Sequence, residues 1–389
     1  MKKIKIGFVV SQVANTLGFE NVVSGHVQLP LHTMKLLKED GNEVQLLTTE
    51  FNEGQTLPRF LPSGVKVHQI THGYRSVRGE NNQGGPTPGL HVLKILKQLQ
   101  QIKGIVRKEG FDILHFFGGY RLAYLAASIR FIGIKIPKVF TISIDPFPDP
   151  RWPASRFFWK QFRAILTTTE YMATKGRSKG LPVSVIKHGV VRDIQAELEG
   201  QVVSPPHRVL FWRDPSLGNG ADVCLKVYQA LAPRYPDVSF DFAVRPYWKP
   251  VTGLMEIVNE YPNVHVFQFP YSNGMSLSKL LAESICVLLP FRGLSVNPQF
   301  SVLESMQAGC AVITTGIDSN VELIQSGENG FLVSPGDSQE IIKIVEKLLA
   351  NRQDAIEIGR RAAKDIGAQW NWNNYLRDLK EQYELTLSS

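Results

Sequence analysis

The sequence predicts an α/β protein made of two doubly wound, Rossmann-like domains that face each other across a cleft. Three observations carry this reading. Short runs of buried-type residues alternate with helical patterns along nearly the whole chain. The alternation pauses once, at GQVVSPPHR (residues 200–208), and then restarts. At 389 residues the chain is also too long for one ordinary hydrophobic core.

In the first half, residues 4–10, 43–47, 65–70, 113–117, 139–144 and 164–168 read as buried strands. Helical periodicity fills the gaps, for example over residues 91–106 and 122–131. Such a β–α rhythm builds a parallel sheet covered on both faces. Pro205 and Pro206 then break the pattern, so a boundary is placed near residue 203. Residues 209–212, 239–244, 264–267, 285–289 and 311–314 form the second set of strands, again with helices between them. The expected organisation is a first domain over 1–203, a second over 204–368, and a terminal helix over 369–389 that crosses back onto the first. Ligands of such sheets sit beyond the carboxyl ends of the strands.

Composition narrows the function. Hydrophobic residues make up 43% of the chain and charged residues 20%, as expected of a water-soluble globular protein. No apolar run is long enough to cross a bilayer. The opening MKKIKIGFVVSQ is too briefly apolar for a secretory signal, and its apolar part reads as the first strand. Cys224, Cys286 and Cys310 are odd in number and far apart, so they form neither a disulfide framework nor a metal motif. A reducing cytoplasm is the expected home. No Asp-x-Asp pair occurs, so a metal-held diphosphate is not expected, and neither is any other metal site.

Charge is uneven. Residues 1–200 hold 27 lysines and arginines against 15 acids, whereas the remainder holds 16 against 20. A basic first half suits an anionic partner, although solubility alone also accounts for it.

One segment asks a sharper question. GLSVNPQFSVLESMQAGCAVITT (293–315) carries a single carboxylate, Glu304, among apolar and small residues. A helix is expected to start near Phe300 and stop at Gly309, with a strand after it. A buried carboxylate is costly unless something satisfies it. Near a helix N-terminus it is favoured by the dipole, and it can accept two hydrogen bonds, as a ribose diol would require. A capping interaction with nearby backbone would serve as well.

SVLESMQAGCAVITT, then Glu322-Leu323-Ile324, then GENGFLVSPGD (327–337) resembles the donor-binding half of family-4 retaining glycosyltransferases of the GT-B fold. The likeness extends to SGHVQLPLHTMKLLKEDGNEVQLLTT (24–49), DILHFFGG (112–119), VIKHGV (185–190), RVLFWRDPSLGNGADVCLKVYQAL (208–231) and WNWNNYLRDLKEQYE (370–384). By this resemblance Glu304 is the second of a pair of motif glutamates and holds the nucleotide ribose. Gly25 lets the backbone approach the donor diphosphate. Arg213, at a strand end, makes paired bonds to the pyrophosphate, unless it is a surface arginine held by Asp214 or Asp222. The helix start at Phe300 and Ser301 adds N–H dipoles to the departing diphosphate.

The sequence also departs from the family. The earlier motif glutamate is replaced by Val296, so Arg292 or Asn297 is expected to substitute at the sugar or phosphate. The lysine expected about five residues after Arg213 is absent, leaving Gly218, Asn219 and Gly220 to offer backbone N–H groups. The family's second histidine is Phe117.

For catalysis the residues to weigh are His115 and Asp145, both at strand ends. His115 reads equally as a hydrogen-bonded structural histidine, and Asp145 as a turn cap before Pro146. The resemblance implies transfer, with retention, from a nucleotide-diphosphate sugar, UDP- or GDP-linked, to a glycan or lipid-linked acceptor in cell-surface polysaccharide synthesis. No cofactor and no nucleic acid are expected. The basic helix pattern at 91–108 and the basic, aromatic stretch 151–163 suit peripheral contact with the anionic inner face of a membrane; packing of the apolar stripe on the sheet is the alternative. The missing glutamate, lysine and histidine motivate a different class of function, a noncatalytic sugar-nucleotide-binding or scaffolding protein of the same fold.

Overall fold

A computed structural model of the chain describes residues 3–11, 13, 15–16, 25–51, 54–71, 92–118, 125, 128–142, 159–245, 251–272, 274–294 and 296–388. These fall into two compact units. One comprises Met1–Ile186 with Asn373–Ser389, and the other Lys187–Trp372.

The first unit holds a sheet of seven parallel strands in the order Lys66–Ile70, Glu43–Thr49, Lys5–Val10, Ile113–Phe117, Lys138–Ile142, Ala164–Thr167 and Val183–Val185. Strand order reverses between Lys5–Val10 and Ile113–Phe117, the arrangement of a doubly wound fold. The short strand Val183–Val185 adds an edge that has too few apolar residues to stand out in the sequence. The helix Val92–Glu109 buries Leu99, Ile102 and Val106 in the core, while Lys97, Arg107 and Lys108 face solvent. That is the packing of an amphipathic helix on a sheet.

The terminal helix Trp372–Ser388 carries most of its length in the first unit. Tyr375, Leu379 and Tyr383, at helical spacing, are all buried. Tyr375 shares a hydrogen bond of 2.9 Å with Thr33 of the helix Gly25–Glu39, and Lys380 pairs with Asp40 at 3.0 Å.

The second unit holds six parallel strands in the order Val264–Gln268, Ser239–Val244, Arg208–Phe211, Ser284–Leu289, Ala311–Thr315 and Phe331–Val333. Here too the order reverses, between Arg208–Phe211 and Ser284–Leu289. Side chains alternate between two cores. Val209, Phe211, Phe240 and Phe242 face one, and Leu210, Ala243, Val287 and Leu289 the other. Burial on both faces explains why these strands read as nearly continuous apolar runs.

Two close approaches fix the helices around the second sheet. A Cβ added at Gly359 would lie 1.8 Å from the carbonyl oxygen of Gly309. Only a glycine lets the helix Arg352–Gln369 lie against the end of the helix Phe300–Gln307 in this way. Similarly, a Cβ at Gly189 would fall 2.3 Å from the Trp372 ring.

Candidate functional site

The site of the second unit is set by the helix Phe300–Gln307, and every residue from Phe300 to Met306 is buried. Val302, Leu303 and Met306 join the core with Ala362, Ile366 and Trp370. The Phe300 ring stacks on His188 at 4.9 Å and 22°, which seats the start of the helix. The Trp212 indole N–H donates to Ser305 Oγ at 2.8 Å. That bond ties the helix to the carboxyl end of the strand Arg208–Phe211 and brings Arg213, which follows Trp212, and Glu304, which precedes Ser305, into one neighbourhood.

Glu304 is 5% exposed. Among the described residues no group donates a hydrogen bond to its carboxylate. Burial pushes its pKa up to about 7, against the pull of Arg192, Arg213 and Arg245; Glu197 adds to the rise. Arg213 is half-buried, and its Nε is enclosed with no hydrogen-bond partner. Burial, with Arg245 beside it, lowers this guanidinium to about 10; Asp214 and Glu304 act in the opposite sense. It stays charged at neutral pH. Neither of the acids weighed as its surface partner takes it up: Asp222 is engaged by Arg292, and no bond from Arg213 to Asp214 forms.

Among the described residues Glu304, Arg213 and Arg245, on a helix and two strand ends, have no hydrogen-bond or ion-pair partner for their charged groups and form an unsatisfied polar constellation. A ligand that donates hydrogen bonds to Glu304 and presents negative charge to the arginines would complete it.

The other residues expected on the donor divide. Ser301 Oγ is buried and lacks a partner. The N–H groups of Phe300 and Ser301, the first of the helix, have none among the described residues, whereas those of Val302 and Leu303 bond to Gln299 O. Asn297 is fully buried, and its Oδ1 accepts from the N–H and hydroxyl of Ser319, at 3.3 and 2.7 Å. Arg292 makes a two-pronged pair with Asp222, both bonds at 2.6 Å, and also donates to Leu217 O. Its fork is therefore committed within its own loop. Val296 is buried. The backbone of the short loop after Arg213 offers less than its composition suggests. Asn219 N and Gly220 N bond to Ser216 O and Leu217 O, closing a turn on themselves.

In the first unit, Gly25 opens the helix Gly25–Glu39. His115 is fully buried. Its Nδ1 lies 2.6 Å from Tyr383 Oη and its Nε2 2.7 Å from Thr141 Oγ1. Burial depresses its pKa to about 3. With both nitrogens engaged by protein, the ring has no lone pair free to take a proton from a substrate, and the geometry is that of a core histidine. Asp145 and residues 151–158 lie outside the described residues.

Two of the arginines that act on Glu304 escape a reading of the sequence. Arg245 follows the last buried residue of the strand Ser239–Val244, as Arg213 follows Trp212. A charge placed directly after a buried strand was the available signal. Arg192 offered none. It sits before the short helix Ile194–Leu198, and its Nη1 donates to both carboxylate oxygens of Glu197 at 2.9 and 2.7 Å.

Comparison with known proteins gives the same picture. Residues 23–194 match the model of Glycosyltransferase Family 4, and residues 214–351 that of Glycosyl transferases group 1. Sucrose-phosphate synthase from Thermosynechococcus elongatus has a similar structure, with a TM-score of 0.70 at 13% identity and full coverage of both chains. HepE of Anabaena, solved in complex with UDP-glucose, superposes with a TM-score of 0.68 at 16% identity over 97% of this chain and 98% of that one. An uncharacterized glycosyltransferase of Methanocaldococcus jannaschii is 27% identical over 119 residues, which span 30% of each chain. With two parallel sheets, both in doubly wound order, and family models matching both halves, the chain belongs to the family-4-type glycosyltransferases of the GT-B fold.

Proposed function

We propose that the protein transfers a sugar from a nucleotide-diphosphate donor, UDP- or GDP-linked, to a glycan or lipid-linked glycan, with retention of configuration, in the synthesis of a cell-surface polysaccharide. The observation that carries this reading is Glu304, a buried carboxylate on a helix that has no donor among the described residues and has unpaired guanidiniums near it. A ribose diol supplies the two donors that the carboxylate lacks. Departure of the nucleotide diphosphate is the costly event of glycosyl transfer, and cations held ready where charge develops lower that cost. Arg213 and the free N–H groups of Phe300 and Ser301 serve that role. The reading gains support from HepE, a structural neighbour solved with UDP-glucose.

The acceptor is assigned to the basic first unit. Lys97, Arg107 and Lys108 are exposed on the helix Val92–Glu109, and Leu96 and Phe131 are exposed in the same unit, at 48% and 67%. Basic groups beside exposed apolar ones suit an anionic membrane surface. No helix among the described residues is long and apolar enough to cross a membrane.

A second reading has a specific observation behind it. Val296 is apolar and buried, and Arg292 is committed to Asp222, so the sugar end of the site is poorer in polar groups than the nucleotide end. A protein that binds sugar nucleotides without transferring them would look the same.

The test is to offer the purified full chain a panel of UDP-, GDP- and ADP-linked sugars with membrane extract, following donor consumption and the anomeric configuration of the product by NMR. Consumption with a retained anomer is expected. Nucleotide binding without any donor turnover would favour the binding protein, and an inverted product would remove retention.

A further inference from the structure

We propose that Arg245 is a second diphosphate-binding residue, working as a pair with Arg213, and that together they make the site select nucleoside diphosphates over monophosphates. The inference rests on the donor reading above and adds to it a residue from a different strand.

The first observation is placement. The strands Arg208–Phe211 and Ser239–Val244 are adjacent and parallel, with Phe211 level with Phe242. Continuing that register sets Arg213 level with Val244, so the two arginines leave their strands within one residue of the same height. Neighbouring strands lie about 4.8 Å apart. Both residues sit at the carboxyl edge of the sheet, where ligands of such folds bind.

The second observation is that neither guanidinium is neutralised. Arg192, the third arginine acting on Glu304, is occupied by Glu197. Arg213 and Arg245, both half-buried, have no hydrogen-bond or ion-pair partner among the described residues, and Arg213 Nε is sealed from solvent. Elsewhere in the same unit half-buried arginines are paired: Arg208 with Asp241 and Glu283, and Arg192 with Glu197. Two unpaired guanidiniums in one region are the exception.

The third is mutual proximity. Arg245 acts on Arg213, on Glu304 and on Tyr271. Two like charges held close in a half-buried setting, with no ion pair to either among the described residues, repel each other. A ligand with two adjacent anionic groups relieves both charges at once and is gripped by two planar forks. A diphosphate has that form. A monophosphate meets the pair with one group only. Glu304 is a single carboxylate and cannot cancel both charges of the pair.

Titration calorimetry on the full chain tests this, with UDP, GDP and ADP and the corresponding monophosphates. For the diphosphate that binds wild type, Arg245→Gln is expected to weaken binding at least tenfold while weakening the monophosphate less than threefold. Arg245→Lys, which keeps the charge and loses the fork, should fall between. Retained monophosphate binding by Arg245→Gln also reports that the variant is folded. If the variant loses neither ligand, or loses both equally, the pairing of Arg245 with Arg213 is overturned while the donor reading stands. If wild type binds none of the nucleotides, the donor reading fails and takes this inference with it.

Discussion

Tyr383 Oη lies 2.6 Å from Nδ1 of His115, joining the terminal helix to the central strand Ile113–Phe117 of the first sheet. Thr141 Oγ1 takes the opposite nitrogen at 2.7 Å. Removing the ring leaves two buried hydroxyls without a partner. His115→Phe should therefore cost about 1–3 kcal/mol in urea unfolding, and Tyr383→Phe about 1 kcal/mol. The ring should stay neutral from pH 8 to pH 5 by NMR, because burial holds its pKa near 3. The unfolded chain takes up that proton below about 6.5 and the folded chain does not, so this residue's contribution to stability is lost as pH falls from there toward 3. A ring that titrates near its ordinary value would show that it is not sealed in the core.

Glu304 behaves in the opposite direction. Its pKa of about 7 lies above the ordinary 4.5. Between those values the folded protein keeps a proton that the unfolded chain has released, so the ligand-free protein loses stability as pH rises through this window. A shift of that size corresponds to up to about 3 kcal/mol. Glu304→Gln should abolish the slope and be more stable than wild type at pH 8. It should also bind nucleotide at least about tenfold more weakly, having lost an ionised acceptor. Wild-type affinity should rise with pH through about 7, as the carboxylate ionises. Unchanged affinity in the variant would end the ribose assignment.

Gly359 and Gly367 lie in one helix but in different surroundings. Alanine at 359 meets the Gly309 carbonyl, whereas alanine at 367 meets nothing within 4 Å. Gly359→Ala should destabilise by about 1–3 kcal/mol through forced displacement of packed backbone. It should weaken nucleotide binding too, because the displaced helix carries Glu304. Gly367→Ala should raise stability by up to about 1 kcal/mol from helix propensity alone. Equal effects at the two sites, measured by thermal unfolding, would contradict the close packing.

Arg292 and Asp222 form an isolated pair, with side chains 39% and 24% exposed. A double-mutant cycle with Arg292→Gln and Asp222→Asn should give a coupling of about 0.5–1 kcal/mol. Nucleotide affinity should barely change in either single variant, because the fork is turned to its own loop. A large loss of affinity in Arg292→Gln would return this residue to the donor site.

Much of the fold was legible because parallel strands buried on two faces appear as apolar runs, and glycine and proline punctuate them. What escaped were short edges such as Val183–Val185 and Phe331–Val333, whose three residues carry too little pattern. Segment 187–203 was expected in the first domain on the strength of the Pro205-Pro206 break. In the structure it packs in the second unit, where His188 stacks on Phe300 and on Trp372. Breaks in composition mark flexible chain, while unit membership is decided by which core the side chains enter.

By itself the sequence determined where most of the longer strands lie and that one lone acid sits on a buried helix, since both follow from local periodicity. Only the tertiary structure decided which charges are spoken for. Arg292 and Arg213 look alike along the chain, yet one is taken by Asp222 and the other is left open beside Glu304 and Arg245. Pairing depends on distances between residues remote in sequence, and those are set by how strands align and helices pack.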